Sequence, residues 1–383
     1  MEIRQKIQDK ALVSWINKGK KGTLELITGI GKTKIAMEAV KMYPKNSRIL
    51  FLAEQTDREL ELRNEQKKWK AEDWKIEFAC YQSAYKWEGQ EFELIIADEI
   101  HDSLTKEYSK FYKNNYYDDI IGLSATVDRK AIVDEDEQII KGHLLDKIAP
   151  VCYTYGIDKG QIDGTSRKLD VYVINHKLDT ESVTIVSGTK AKPIMRTELS
   201  AYQYKDNQFK YALYAPESRR KYLIRNSSAS RAKLLYELPS KMEAAKKLTE
   251  AMKGKSIIFG NSIDILLKIT PNVVSSRNTD KKNLKIREDF DKGNINLIGS
   301  FKKLKQGANL VGLDNCIIHS YYSKSKDLIQ RIGRLRNNGQ IGKVFIFVTY
   351  GTQEVKWYNM MFEGLENLNI INCDGVEDCI IKL

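Results

Sequence analysis

The chain reads as an α/β protein: two parallel-sheet domains in tandem, with a smaller insertion in the second. Three observations predict this. Its 383 residues exceed what one ordinary hydrophobic core holds together. Short apolar runs rich in Val, Ile and Phe alternate with helix-like segments, the rhythm of strands covered on both faces. That rhythm also comes in two series, which flank a stretch lacking it.

In the first series the strand candidates are residues 24–28, 48–53, 76–81, 94–98 and 120–124. In the second they are 169–175, 256–260, 272–275, 295–299, 316–321 and 343–349. Helices are expected between them, including 34–42, 263–269, 282–291 and 326–335. These series place one domain over residues 1–150 and the other over 151–383. The insertion covers about 179–239, where Tyr202, Tyr204, Tyr211, Tyr214 and Tyr222 mix with Lys and Arg. Two readings of those tyrosines stay open. They stack bases beside cations that hold phosphates, or they lie along the amphipathic surface of a small helical subdomain. The charged stretch 54–70 reads as a solvated helix face without a functional role.

Apolar residues make up 42% and charged residues 30%, the balance of a globular chain and not of a disordered one. There is no run of about 18 apolar residues to span a bilayer. The first residues, MEIRQKIQDKALVSW, lack the apolar centre of a secretion signal. Five scattered cysteines without a close pair, and only four histidines, point to free thiols in a reducing compartment and away from a zinc centre. A cytoplasmic monomer is the expectation. With 63 Lys and Arg against 51 Asp and Glu, the net charge is +12, which attracts polyanions.

The sharpest local signal is residues 24–33, an apolar strand running into Thr28-Gly-Ile-Gly-Lys-Thr33 and then a helix. In such a turn the backbone N–H groups of Gly29, Ile30 and Gly31 point inward and, with the helix N-terminus, hold phosphate oxygens. Lys32 then reaches the outer phosphates of ATP and the Thr33 hydroxyl ligates Mg²⁺. The general P-loop pattern asks for Gly where this chain has Leu26. About 65 residues later a hydrophobic strand ends in Asp98-Glu-Ile-His101. Two adjacent carboxylates on a buried strand are costly unless a cation or a reaction uses them. Asp98 suits the Mg²⁺ and Glu99 suits the attacking water as its general base.

Together with Ser124-Ala-Thr126, these segments resemble motifs I, II and III of the superfamily 2 helicases, with Ile100 where the DEAH box has Ala. The resemblance implies two RecA-like domains, ATP and Mg²⁺ as cofactors bound between them, and nucleic acid as partner. It implies that His101, Ser124 and Thr126 couple the ATP site to the strand-binding face, and that Gln8, followed by Ala11 and Trp15, is a Q motif reading adenine.

Later segments agree in order. Residues 256–262 resemble motif IV, with Asn261 toward nucleic acid. Residues 300–309 resemble motif V, with Gly307 toward the nucleotide and Lys302, Lys303 and Asn309 toward nucleic acid; Asn309 stands where many relatives carry Asp. Gln330-Arg-Ile-Gly-Arg-Leu-Arg336 resembles motif VI, which implies that Gln330, Arg334 and Arg336 act on the γ-phosphate. Arginine suits that role because its planar, permanent charge matches charge spread over phosphoryl oxygens. The family's second arginine falls on Asn337, one position beyond Arg336. The motif set and compact size resemble phage and viral DNA helicases and the restriction–repair branch, so DNA is expected over RNA. Two other functions stay open: a duplex-translocating restriction or remodelling motor that does not separate strands, and a nucleic-acid-binding scaffold with a vestigial nucleotide site.

Overall fold

The computed structural model describes residues 2–54, 58–127, 129–134, 139–189, 191–301, 310, 312–321, 328, 331–333, 335, 337–362, 365 and 367–383. The chain divides into two compact units, Met1–Arg167 and Lys168–Leu383. Each is built on a wholly parallel sheet flanked by helices, as the alternating pattern predicts, and the pair are the two tandem RecA-like domains that the resemblance implies.

The first unit holds β1 (Lys21–Leu26), β2 (Ile49–Ala53), β3 (Ile76–Cys80), β4 (Glu91–Asp98), β5 (Tyr116–Ser124), the short antiparallel pair β6 (Ile132–Asp134) and β7 (Ile139–Ile140), and β8 (Val151–Tyr155). Its main sheet runs β3-β2-β4-β5-β1-β8. Successive side chains on a strand point to opposite faces. Ile49 and Phe51 of β2 therefore join one core with Trp15, Met37 and Val40, while Leu50 and Leu52 join another with Phe111, Tyr112 and Leu145. This two-sided burial is why the strands read as continuous apolar runs. Trp15 is fully buried, which stabilises by about 1.5–3 kcal/mol. Its indole N–H donates to Ile120 O at 2.8 Å and fixes the helix Glu2–Asn17 across the sheet.

The second unit holds β9 (Leu169–His176), β10 (Ile185–Thr189), β11 (Lys192–Arg196), β12 (Lys255–Phe259), β13 (Val273–Val274), β14 (Leu297–Ser300), β15 (Leu313–Ile318), β16 (Gly342–Thr349) and β17 (Asn369–Cys373). Its sheet runs β13-β14-β12-β15-β16-β9-β17. The first strand of this unit pairs over its whole length with β16, from Leu169 opposite Gly342 to His176 opposite Thr349. All eleven strands expected from the apolar runs are present, shifted by a few residues at their ends. The edge strands β8 and β17 were not expected.

Between β9 and β12 the chain forms an antiparallel hairpin, β10 with β11, and three helices, Glu198–Leu213, Glu217–Tyr236 and Pro239–Ala251. Thr197 caps the first by accepting from Ser200 N at 3.2 Å. Pro239 opens the third, at the position where a missing N–H costs nothing. Glu198 is fully buried yet satisfied, accepting from Asp179 N, Ser240 N and Ser240 Oγ. Below it, Lys241 and Glu354 form an ion pair with no exposure on either side chain, at 2.6 Å and 2.9 Å. These bonds fasten the helices to one another and to the segments that follow β9 and β16. Among the described residues, no helix is long and apolar enough to cross a membrane.

Candidate nucleotide site

The register of the first sheet puts Leu24 opposite Leu123, and Leu123 opposite Asp98. The carboxyl ends of β1, β5 and β4 therefore lie abreast, and the glycine turn, Ser124 and the Asp98–Glu99 pair follow from one sheet edge. Ligands of open parallel sheets bind at this edge.

The turn needs its glycines. Gly29 has φ 84° and Gly31 φ 98°, the left-handed region that side chains rarely adopt. A Cβ on Gly31 would also sit 2.6 Å from Gln8 Nε2. Lys32 opens the following helix, Lys32–Val40, with Thr33 half-buried in its first turn. Lys32 Nζ donates to Leu26 O at 3.2 Å, so the ammonium closes back over the loop. Thr28 is half-buried and Ile30 almost wholly buried. Gln8 braces this loop from the first helix: its Nε2 donates to Ile30 O at 2.7 Å and its Oε1 accepts from Lys34 Nζ at 2.9 Å.

Asp98 ends β4 and is 5% exposed. Its Oδ2 lies 2.5 Å from Arg58 Nη2, and Arg58 also pairs with Glu61. The Asp98 carboxylate raises the guanidinium's affinity for its proton, against the burial that lowers it. Tyr81 donates its hydroxyl to Asp98 O at 2.9 Å and, buried, is held well above its ordinary pKa. Glu99 takes φ 49° and ψ 51°, a left-handed conformation that costs a non-glycine residue about 1–3 kcal/mol. Its Oε2 is buried and accepts no hydrogen bond.

His101, 2% exposed, meets Ser124 Oγ with Nδ1 at 2.7 Å. Ser124 Oγ donates its one proton to Thr126 O at 2.8 Å, so Nδ1 must carry a proton and donate. Glu99 Oε2, 3.4 Å from the same Nδ1, is therefore left out of that bond. Thr126 Oγ1 is buried without a hydrogen-bond partner. Lys141 Nζ donates to His101 O at 2.7 Å, tying the 139–148 segment to the site.

In the second unit, Asn261 follows β12; its backbone N–H donates to Ser320 Oγ at 2.7 Å, and its Nδ2 is buried without a hydrogen-bond partner. Arg331 donates to Ser320 O at 3.0 Å and stacks over Phe259 at 5.3 Å. It is 3% exposed, and so is no part of a solvated basic face. Lys302, Lys303, Gly307, Asn309, Gln330, Arg334 and Arg336 lie outside the described residues.

One expectation for the 54–70 segment is corrected. The helix Arg58–Lys68 buries Leu62 and Gln66, and Arg58 reaches the site's aspartate. The signal was the register: β2 pairs with β4 up to Leu52 opposite Ala97, so the segment after β2 begins next to Asp98.

The model of the helicase conserved C-terminal domain matches residues 240–339. That of the type III restriction enzyme res subunit matches residues 1–59 and 55–129. No curated protein matches the sequence. Among solved structures, Saccharomyces cerevisiae Dbp5 bound to RNA and ADP BeF3 has 13% identity and a TM-score of 0.62, over 98% of this chain and 93% of that one. The type ISP restriction-modification enzyme LlaBIII bound to DNA has 13% identity and a TM-score of 0.61, over 97% of this chain and 31% of that one. The Pyrococcus furiosus Hef helicase domain has 14% identity and a TM-score of 0.51, over 93% of this chain and 97% of that one. At these identities the likeness is one of fold; the family follows from the two domain models, which match residues 1–129 and 240–339. The chain belongs to superfamily 2 of the helicases, the ATP-hydrolysing nucleic-acid helicases and translocases.

Proposed function

We propose that this chain is a motor that hydrolyses ATP to move along DNA. The observation that carries the reading is Glu99: a carboxylate held in a strained backbone conformation, with one oxygen buried and unsatisfied, at the sheet edge that also bears the glycine turn. Such strain persists only where the surroundings impose it, and it collects at working sites.

The residues fit magnesium-bound ATP. Gly29 and Gly31 give the turn the left-handed backbone that a phosphate cradle uses, Lys32 would contribute charge, and Thr33 and Asp98 would be the oxygen donors for the metal. Bound magnesium would neutralise phosphate charge. Glu99 takes a proton from the water whose oxygen attacks the γ-phosphorus, and the bond to ADP breaks, giving ADP and phosphate. His101, hydrogen-bonded to Ser124 and through it to Thr126, transmits the state of this site. Gln8 stands beside the loop for the adenine, and the resemblance further assigns Gly307, Gln330, Arg334 and Arg336, outside the described residues, to the nucleotide. The resemblance assigns Asn261, and Lys302, Lys303 and Asn309 outside the described residues, to nucleic acid.

DNA is favoured over RNA by the restriction-subunit model over the first unit. That same match favours translocation on duplex, with or without strand separation. The test compares ATP turnover with single-stranded DNA, duplex DNA and RNA, and displacement of a labelled strand. Stimulation by DNA above RNA supports the proposal; turnover that ignores nucleic acid overturns it in favour of a scaffold.

A further inference from the structure

We infer that the tip of the helical pair Glu198–Leu213 and Glu217–Tyr236 is a contact site for single-stranded nucleic acid, gripping bases with tyrosine rings and phosphates with arginines. The inference rests on the motor reading above and deepens it.

The pair has an inner and an outer side. Inside, Tyr202 is buried at the root with Leu235 and Leu238, and its hydroxyl accepts from Gln353 N at 2.8 Å. Arg231, also buried, lies over the Phe209 ring at 4.0 Å and pairs with Asp206. These groups are structural. Outside, Tyr211 is 81% exposed, Tyr214 87% and Tyr222 69%. A ring that covers the apolar flank of its own helix is largely buried, so these three do not serve the subdomain's surface. Apolar area in water costs free energy, and a cluster of it points to a ligand.

Charge selects the ligand. Residues 198–236 carry eight Lys and Arg against three Asp and Glu. Of the three acids, Glu198 is buried and Asp206 is taken by Arg231 and Lys210. Arg219, Arg220, Lys221 and Arg225 are exposed around Tyr222, and helical spacing sets Arg219, Tyr222 and Arg225 on one stripe. Tyr211 lies in the last turn of the other helix and Tyr214 at its C-cap, a few residues before this stripe in the chain. A polyanion with free flat faces fits both features, and unpaired bases supply the faces that a stacked duplex hides.

The test measures binding of labelled oligothymidylate and of a duplex by fluorescence anisotropy across a salt series. Replacing Tyr211→Ala, Tyr214→Ala and Tyr222→Ala together should weaken single-strand binding at least about ten-fold while sparing the duplex. The matching Tyr→Phe variant should keep parental affinity. Replacing Arg219→Ala with Arg225→Ala should flatten the slope of log affinity against log salt by about 1.4. All these side chains are exposed, so the thermal midpoint should hold. If the parent binds oligothymidylate and the tyrosine-free variant binds it equally well, the tip is not the site, though the motor reading survives. If the parent binds no nucleic acid at all, both fall.

Discussion

Arg58 Nη2 and Asp98 Oδ2, 2.5 Å apart, join the helix after β2 to the aspartate assigned to magnesium. The carboxylate is 6% exposed and the guanidinium 20%, so solvent screens the pair only in part. Arg58→Gln should lower stability by about 1–3 kcal/mol, as expected for loss of a charge-assisted bond. Added Mg²⁺ should restore more of the thermal midpoint in this variant than in the parent, because the cation replaces the lost partner of Asp98. Equal shifts in both proteins would remove Asp98 from the metal.

Glu99 separates stability from activity. Its left-handed backbone suits glycine. Glu99→Gly should therefore stabilise the protein by about 1 kcal/mol while abolishing ATP turnover. Glu99→Gln should keep nucleotide binding and slow hydrolysis by about 10²- to 10⁴-fold. Denaturant melts and single-turnover assays read the two effects independently.

Ser124 holds the proton of His101. Ser124→Ala leaves that buried N–H without its acceptor and should cost about 1–3 kcal/mol. On the proposed coupling role, stimulation of turnover by nucleic acid should fall more than turnover without it. A variant stimulated as strongly as the parent would confine Ser124 to a structural role.

His176 gives the second unit an acid limit. Burial, and then the charge of Lys241, push its pKa from 6.5 down to about 3. The folded state keeps this imidazole neutral, whereas the unfolded chain takes up a proton below its ordinary value. The contribution is fully present above pH 6.5 and is lost as pH falls from 6.5 toward 3, at about 1.4 kcal/mol per pH unit. His319 shifts the same way, through burial and then the charges of Lys241 and His176. Urea midpoints across that range should fall less steeply for His176→Asn than for the parent.

The buried Lys241–Glu354 pair should be costly to break from one side. Glu354→Gln strands an ammonium and should destabilise by about 3–5 kcal/mol, more than Lys241→Met combined with Glu354→Leu. A double variant less stable than the single one would contradict this.

Much of the first unit was legible because its determinants are local. Runs such as Ile49–Ala53 announce a strand buried on both faces, and Thr28-Gly-Ile-Gly-Lys-Thr33 announces a turn needing glycines. What was missed depends on partners distant in sequence. Arg58 reads as one charge in a charged helix until the register of β2 with β4 places it at Asp98. Gln8 reads as a ligand for adenine from its place in the first helix; that its two polar side-chain atoms also brace the loop depends on Ile30 and Lys34, more than twenty residues away. Edge strands β8 and β17 are half-exposed and mixed in polarity, so no continuous apolar run marks them. The tyrosines of the insertion could not be sorted by spacing: only burial separates Tyr202 from Tyr211, Tyr214 and Tyr222.

The place of β9, flanked by β16 and β17, sets a timetable for biosynthesis. The first unit has every strand of its sheet once Tyr155 has left the ribosome. Leu169–His176 emerges just afterwards, but neither of its neighbours has yet been translated. At about 5–20 residues per second, that apolar strand waits roughly 9 to 35 seconds for Gly342–Thr349. Throughout this interval the nascent second unit carries a strand whose pairing edges have no partner.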